Sequence, residues 1–316
     1  MNLQNILVPY DGTDDSENAI LEGAKLALFF KSKIIILFVI EEKYFSNPYS
    51  DLKPDSSFEQ KKEELINMIE SNISEIIKRK LQELREKGLD AKYVMETGQP
   101  TEIILNLAKN KKADMIVMGR KGLRRLGRIK AIGSVSRSIA ENADIPIMMV
   151  SDSLKNTYER VLVPYDIQNP NSSNNALDIA LSFKDNNNGC TITVLHIVPE
   201  PPIPHTISKI LSTSIIKGKK KSLEDHFKDR YPEAKERANK IIKEMINVRY
   251  KEEKKISIKI SYGAIAERVI EFAEQENIDL LVMGTNPLKG ISKIASLGSI
   301  SRQVAESVSC PIILVK

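Results

Sequence analysis

Two groups of small and polar residues have the types and spacing that suit binding of a phosphorylated ligand. The stronger group starts at Met118-Gly119-Arg120-Lys121-Gly122 and, ten residues later, ends at Gly133-Ser134-Val135-Ser136. Glycines let backbone N–H groups approach an anion without a Cβ in the way, and a helix beginning at Ser134 would direct free N–H groups at phosphate. Ser134 and Ser136 would add hydroxyl donors. The alternative is that the glycines only make a turn and Ser134 only caps the helix.

The second group is Pro9-Tyr10-Asp11-Gly12-Thr13, which follows a short apolar run. An aspartate at this position could accept hydrogen bonds from a ribose hydroxyl or a base amine. Asp, Gly and Thr equally suit a plain turn and N-cap, so both interpretations stay open. Neither a Ser/His/Asp nucleophile pattern nor a GxxxxGK[ST] motif is present, and three His and two Cys do not have zinc-ligand spacing. We therefore predict binding residues but no catalytic residues and no metal ligands.

Both groups recur in the chain. Residues 6–11 return as 161–166, and residues 98–150 match 263–315 without a gap, so the two shifts differ by ten positions. A repeat of this length indicates a duplicated domain rather than a solenoid. We predict domains at 1–151 and 158–316, joined by a polar linker. The identical pairs include Asp114/Asp279, Met118/Met283, Gly119/Gly284, Gly133/Gly298, Ser134/Ser299 and Ser136/Ser301.

The elements that must position these residues alternate between strand and helix. Asn5–Tyr10 and Lys33–Ile40 are apolar runs of strand length, and Ala19, Ile20 and Ala24 have helical spacing after Ser16. A long amphipathic helix is predicted for residues 58–87. The remaining predictions for the first half are strands at 91–95, 114–118 and 147–150 and helices at 100–110 and 134–142. The order favours two tandem α/β domains, each doubly wound with a parallel sheet and ligands at the carboxyl ends of its strands.

Composition narrows the class of protein. The chain has 316 residues, a net charge of +5, 5% aromatic residues and no Trp, which argues against nucleic-acid binding by stacked aromatics. The low cysteine count fits a reducing compartment, the first residues lack the pattern of a signal peptide, and no apolar stretch approaches about 20 residues. We expect a cytoplasmic protein without a membrane span.

The order of these motifs resembles the universal stress protein family, once in each half. The resemblance rests on the strand followed by Pro-x-Asp, the strand ending Leu37-Phe38-Val39-Ile40, the Gly-x-x-Gly…Gly-Ser run and the last strand, Pro146–Val150. It implies five-stranded parallel domains flanked by helices, Rossmann-like and of the adenine nucleotide alpha hydrolase type. The family has a branch that binds ATP and a branch that does not. Final strands of the family often pair, so Ile147–Val150 and Ile312–Val315 could make an intrachain pseudo-dimer, and a homodimer is an open alternative.

In the ATP-binding branch, the resemblance implies that Asp11 contacts the nucleoside and that the Val39 backbone meets the adenine. Ribose and phosphates would be held by Gly119, Gly122, Gly133, Ser134 and Ser136. The ligand would be ATP, ADP or AMP, and Glu41-Glu42 could help to hold Mg²⁺ with the phosphates. Pro9, Tyr10, Thr13, Met118 and Val135 complete the predicted nucleotide-binding set.

The second half departs from this pattern. Pro287 stands where the second glycine of the motif would be, and proline lacks an N–H donor. The loop after Asp166 has two extra residues. The first half also has more basic residues between its glycines, which could form a lid over a triphosphate or a solvated loop: Arg120, Lys121, Arg124, Arg125, Arg128 and Lys130. We predict a degenerate second site made of Asp166, Ile197, Gly284, Gly298, Ser299 and Ser301.

Three functions remain open from the sequence. The first is a non-enzymatic stress-response regulator that binds an adenine nucleotide mainly in its first domain and acts on an unidentified protein partner. The second is a slow ATPase, although no residue is an evident base for water. The third is a dimerisation scaffold that binds no nucleotide.

Overall fold

The chain forms two compact units in a computed structural model. The structure describes residues 3–41, 56–120, 132–150, 157–187, 189–200, 215–216, 219–220, 223–250, 256–285 and 297–316, without the side chains of 56–59, 215–216, 219–220 and 223–230. The first unit contains the described residues up to Val150, with Leu297 and Ser309–Lys316. The second contains those from Thr157 to Thr285 and from Gly298 to Val308.

The first repeat alternates strands and helices in the predicted order. Its elements are β1 (Asn5–Tyr10), α1 (Asp14–Phe30), β2 (Lys33–Glu41), α2 (Ser56–Glu86), β3 (Ala91–Gly98), α3 (Pro100–Asn110), β4 (Met115–Gly119), α4 (Ser134–Asn142) and β5 (Ile147–Val150). The apolar runs form strands because both faces of the sheet are covered, and Ile6, Leu7 and Val8 are fully buried.

The five strands of the first repeat lie in the order β3-β2-β1-β4-β5. Within these five, every pair of neighbouring strands runs parallel. The chain moves outward from β1 to β3 and then returns to β4 on the other side of β1. The strand order therefore reverses between β1 and β4, and the carboxyl ends of strands at such a point are where open α/β sheets bind ligands.

The second repeat forms the corresponding elements. They are β6 (Arg160–Pro164), α5 (Pro170–Asn186), β7 (Thr191–Pro199), β8 (Ile215–Ile216), β9 (Lys219–Lys220), α6 (Leu223–Tyr250), β10 (Ile256–Gly263), α7 (Ile265–Gln275), β11 (Leu280–Gly284), α8 (Ser299–Ser307) and β12 (Ile312–Val315). In the second unit the strands lie in the order β10-β7-β6-β11, all parallel, with β8 and β9 as a separate antiparallel pair. The predicted α/β fold is confirmed in both repeats.

The last strand of the sequence lies in the first unit. β12 pairs antiparallel with β5, with Ile312 opposite Met149 and Leu314 opposite Ile147. The pairing expected between the two final strands is therefore present. Because of it, the first unit contributes six described strands to the sheet, whereas the unit that holds β6 contributes four, in addition to its β8–β9 pair.

Two aspartates that recur in the repeats hold the amino ends of the first strands. Asp114 Oδ2 accepts from the N–H groups of Gln4 and Asn5, at 2.7 and 2.9 Å. Asp279 Oδ2 does the same for Glu159 and Arg160. These carboxylates lie at the opposite end of the sheet from the predicted site, so they are structural. In the described part of the chain, no helix is both long and apolar enough to cross a membrane.

Candidate functional site

The two predicted motifs of the first repeat come together at the carboxyl ends of β1 and β4. These strands are neighbours, with Ile6 opposite Met115 and Leu7 opposite Ile116. Asp11 follows β1 directly, and Gly119 is the last residue of β4. The sequence separates these two residues by more than a hundred positions, whereas the sheet places their strands side by side.

Asp11 belongs to a tight turn that starts α1. Its Oδ1 accepts hydrogen bonds from the N–H and the hydroxyl of Thr13, at 3.1 and 2.6 Å. Thr13 is the N-cap of α1, because its Oγ1 accepts from Ser16 N–H at 3.3 Å. The helix thus begins two residues earlier than the predicted Ser16. Asp11 is exposed, and its Oδ2 has no hydrogen-bond partner among the described residues. A ligand could donate a hydrogen bond to this oxygen.

Gly119 lies directly beneath the first turn of α1. A Cβ at Gly119 would lie 2.8 Å from Asp15 Cβ and 2.9 Å from the Asp15 carbonyl carbon. The Gly119 carbonyl accepts a hydrogen bond from the buried Ser136 hydroxyl at 2.8 Å. This glycine allows close packing of helix on strand, and the proton of Ser136 is used within the protein.

The first turn of α4 has the features of an anion-binding helix terminus. Gly133 is the N-cap, no side chain caps the helix, and no acidic residue lies in the first turn. Ser134 therefore does not act as the N-cap, and it is exposed, whereas Val135 is half-buried. By contrast, α1 is capped by Thr13 and has Asp14, Asp15 and Glu17 in its first turn. Of these two helix termini, only that of α4 offers uncompensated N–H groups to phosphate.

The other predicted residues of the first site border the same edge of the sheet. Phe38 is opposite Tyr10 in the β1–β2 pairing, so Val39 extends one residue beyond β1. Burial and the hydrogen bond to Glu17 raise the pKa of Tyr10, and its hydroxyl donates to Glu17 Oε1 at 2.6 Å. Met118 is buried and Pro9 is half-buried, so both support the site from below. Gly122 and the second member of the Glu41-Glu42 pair lie outside the described residues.

Arg120 does not belong to an exposed basic lid. Its residue is only 4% exposed, and its guanidinium donates from one Nη to the Cys310 carbonyl at 3.1 Å. The prediction that Arg120 contributes to a lid over the phosphates is therefore wrong, because burial turns this side chain away from solvent. The remaining five basic residues of that loop lie outside the described residues.

The aspartate of the second unit has a different environment. Asp166 Oδ1 accepts from Gln168 N–H at 2.8 Å, and its Oδ2 accepts from the Asn169 side-chain amide at 3.0 Å. Both carboxylate oxygens are thus engaged by the loop that contains the two extra residues. The Asp166 N–H donates to Ser173 Oγ at 2.9 Å. A ligand would have to displace hydrogen bonds that Asp11 does not make.

The rest of the second candidate site keeps the scaffold of the first. A Cβ at Gly284 would lie 2.6 Å from the carbonyl carbon of Ser172, and Gly298 is the N-cap of α8 without a side-chain cap. Ser299 is exposed, whereas Ser301 and Ile197 are buried. His196 replaces Phe38, and its Nδ1 lies 2.8 Å from the Tyr165 carbonyl oxygen. Pro287 lies outside the described residues.

Comparison with known proteins identifies the family. Residues 2–151 and, separately, 157–316 match the Universal stress protein family. The chain belongs to the universal stress protein family. It contains two copies of the family's domain in tandem.

Two relatives in sequence each match about half of this universal stress protein, whereas a solved structure matches its whole length. A universal stress protein of Methanocaldococcus jannaschii is 29% identical over 152 residues, which are 48% of this chain and 84% of the relative. One from Bacillus subtilis is 29% identical over 150 residues, 46% of this chain and 97% of the relative. A universal stress protein of Archaeoglobus fulgidus has a solved structure with a TM-score of 0.66 at 18% identity, covering 100% of this chain and 99% of that one. At that identity the likeness concerns the fold.

Proposed function

We propose that this universal stress protein is a regulator that binds one adenine nucleotide, in its first unit, without turning it over. The observation that carries the proposal is the difference between Asp11 and Asp166. Asp11 Oδ2 has no hydrogen-bond partner among the described residues and lies at the carboxyl edge of the sheet, to which the uncapped terminus of α4 also belongs through Arg120, whereas both oxygens of Asp166 are hydrogen-bonded within its own loop.

Each part of the nucleotide has a counterpart in the first unit. Asp11 Oδ2 would accept from the ribose or the base, and the Val39 backbone would meet the adenine. Phosphate would lie at the first turn of α4, which begins after Gly133 and has no acidic residue. A helix terminus of this kind stabilises an anion by its N–H groups and its dipole.

Any Mg²⁺ would have to come with the phosphates. Within the described ranges no three His, Cys, Asp or Glu side chains are grouped as metal ligands. Protein-bound Mg²⁺ often keeps several waters and takes one or two carboxylates together with phosphate oxygens. Glu41, at the end of β2, is the described candidate for such a carboxylate.

We keep the cytoplasm as the expected compartment and a protein as the expected partner of the nucleotide-bound form.

Titration calorimetry of ATP with Mg²⁺ tests the proposal on the nucleotide-stripped full chain. We expect about one equivalent to bind. Asp11→Ala should weaken binding by about tenfold or more, because it removes a charged hydrogen-bond acceptor. Asp166→Ala is the matched control in the second unit and should leave the affinity unchanged.

Other outcomes would replace the proposal. Binding of two equivalents, with one lost in Asp166→Ala, would mean that the second site works despite its closed aspartate. Phosphate release above background that disappears in Asp11→Ala would identify a slow ATPase. If none of ATP, ADP and AMP binds, the remaining candidate is a dimerisation scaffold that binds no nucleotide.

A further inference from the structure

Arg120 connects three segments at the candidate phosphate site. It follows Gly119 at the end of β4. Its backbone N–H donates to the Val150 carbonyl at 2.9 Å, and its carbonyl accepts from the N–H of Gly133, the N-cap of α4, at 2.9 Å. Its side chain donates to the Cys310 carbonyl at 3.1 Å. The residue thus contacts the end of β5, the start of α4 and the segment that leads into β12.

The burial of Arg120 makes its position specific. A guanidinium is strongly solvated in water, so a residue that is 4% exposed must recover that solvation from fixed partners. The Cys310 carbonyl is one of these partners, and Cys310 is itself buried. Displacing Arg120 would separate a charge from its acceptor in a region that water does not reach. Its backbone, and therefore the acceptor for Gly133 N–H, is restrained as a result.

The second repeat has a different residue at this position. Its sequence is Gly284-Thr285 where the first has Gly119-Arg120, and Thr285 is also buried. A threonine side chain cannot span the distance that Arg120 covers. The contact to Cys310 is thus a property of the first repeat, although Cys310 comes from the second.

We propose that Arg120 is a positioning residue for phosphate and that its anchor is the C-terminal segment Ser309–Lys316. This inference rests on the proposed nucleotide site. Arg120 fixes Gly133 and the first turn of α4, so phosphate recognition in the first unit depends on residues that the second repeat supplies. The proposed nucleoside contacts are made by Asp11, directly after β1, and by Val39 on β2, and they do not pass through Arg120. A change at Arg120 should therefore weaken the binding of phosphate without weakening the binding of the nucleoside.

Calorimetry of ATP and of adenosine with Arg120→Met tests this separation. Methionine keeps much of the apolar volume and removes every donor of the guanidinium. We expect the ATP affinity to fall by about tenfold, as for the loss of one buried charged hydrogen bond, with adenosine affinity within about twofold of the unmodified chain. Arg120→Lys keeps the charge, so its affinity for ATP should lie between those of Arg120→Met and the unmodified chain. An equal fall in the affinities for ATP and for adenosine would overturn the proposal, since it would indicate that the whole first unit is destabilised.

A matched control removes a hydrogen bond that joins the same C-terminal segment to α4 itself. Lys316 Nζ donates to the Glu141 carbonyl at 3.0 Å, near the end of α4 and away from its first turn. Lys316→Met should leave the ratio of ATP to adenosine affinity unchanged. A drop in that ratio as large as that in Arg120→Met would contradict a specific role for Arg120.

Amide hydrogen exchange provides a readout that needs no ligand. Gly133 N–H is protected by the Arg120 carbonyl. Exchange across 132–137 in the ligand-free protein should therefore become faster in Arg120→Met but not in Lys316→Met. If the unmodified chain binds no ATP, the proposed function fails, and the exchange comparison still decides whether Arg120 positions α4. Unchanged exchange in Arg120→Met would overturn the proposal.

Discussion

Gly119 and Gly284 show how a single residue type can be conserved between the repeats for packing. The first turn of α1 passes close to the end of β4, and the first turn of α5 passes close to the end of β11. A Cβ on either glycine would lie under 3 Å from backbone atoms of the helix. Real Cβ atoms do not tolerate that separation, and backbone atoms cannot rotate away as the end of a flexible side chain can. Both glycines are therefore required by helix–strand contact, whether or not a ligand is bound.

Substitution of Gly119 by alanine should destabilise the protein. We expect a loss of about 1–3 kcal/mol, the usual cost of overpacking, because Asp15 would have to move with its helix. Gly284→Ala should behave similarly through Ser172. Urea denaturation would measure both. The control is Gly189→Ala, where a Cβ meets only the tip of Asn187 at 3.3 Å and the change should stay within about 0.5 kcal/mol. An unchanged midpoint for Gly119→Ala would contradict the packing role.

The sequence alone could predict where Asp11 and Gly119 lie in the fold but not which residues they contact. Their positions at the ends of apolar runs place them at the carboxyl edge of the sheet. The contact between Gly119 and Asp15 depends on how α1 lies across β4, and that arrangement is set by packing between segments distant in sequence. The burial of Arg120 was not predicted either. A run of basic residues is normally solvated, and the contact with Cys310 joins segments that are far apart in the sequence.

At the scale of elements, the tyrosine that ends or directly follows the first strand of each repeat has different partners in the two units. In the first unit, Glu17 on α1 accepts from Tyr10 and pairs with Lys80 on α2, and the Lys80 ammonium lies 5.5 Å from the Tyr10 ring centre. In the second, Tyr165 donates to Asn174 at 2.7 Å and lies near the sulfur of Met245. The tyrosine therefore meets a charged partner in the first unit and neutral partners in the second, where a separate ion pair, Asp178–Arg249, joins α5 to α6.

Breaking the charged cluster of Tyr10, Glu17 and Lys80 should reveal coupling between α1 and α2. Lys80→Met should cost about 1 kcal/mol. Glu17→Asn combined with it should cost less than the sum of the single changes, with a coupling of about 0.5–1 kcal/mol. The coupling is small because the two side chains are 21% and 37% exposed, so that water screens their charges. Denaturation at low salt and at about 1 M salt would test it, since screening should reduce the coupling.

A comparison pair sets the scale for that measurement. Arg268 and Glu271 form an exposed ion pair three residues apart on α7, with side chains 45% and 48% exposed. Their coupling should be about 0.2–0.5 kcal/mol. If Glu17 and Lys80 couple no more strongly than this pair, the cluster does not fix α2 to α1.

The elements themselves were largely predictable. A short apolar run predicted β1, a continuous β-branched run predicted β2, and the long amphipathic pattern predicted α2 within two residues of its observed start. Local periodicity carries this information because each face of an element has one environment. The start of α1 was missed by two residues because the Thr13 cap depends on the turn at Asp11. The predicted domain boundaries, 1–151 and 158–316, follow the sequence repeat and stay a prediction.

At the scale of the whole molecule, the compact units do not coincide with the sequence repeats. The last eight residues of the chain, Ser309–Lys316, belong to the first unit. The antiparallel pairing of β12 with β5 brings them there, and all four residues of β12 are buried. A repeat in sequence reports common ancestry of the segments, whereas a compact unit reports where their apolar surface is buried.

Truncation of Ile313 should therefore weaken the first unit. Ile313 is fully buried and lies opposite Met148 in β5. Ile313→Ala should cost about 2–5 kcal/mol, the range for a buried isoleucine that leaves a cavity. Hydrogen exchange should become faster at Met148 and Met149 in consequence. Ile300→Ala, at a position that is 36% exposed on α8, should change stability by no more than about 0.5 kcal/mol. If the exchange of β5 amides were the same in Ile313→Ala as in Ile300→Ala, β12 would not contribute to the stability of the first unit.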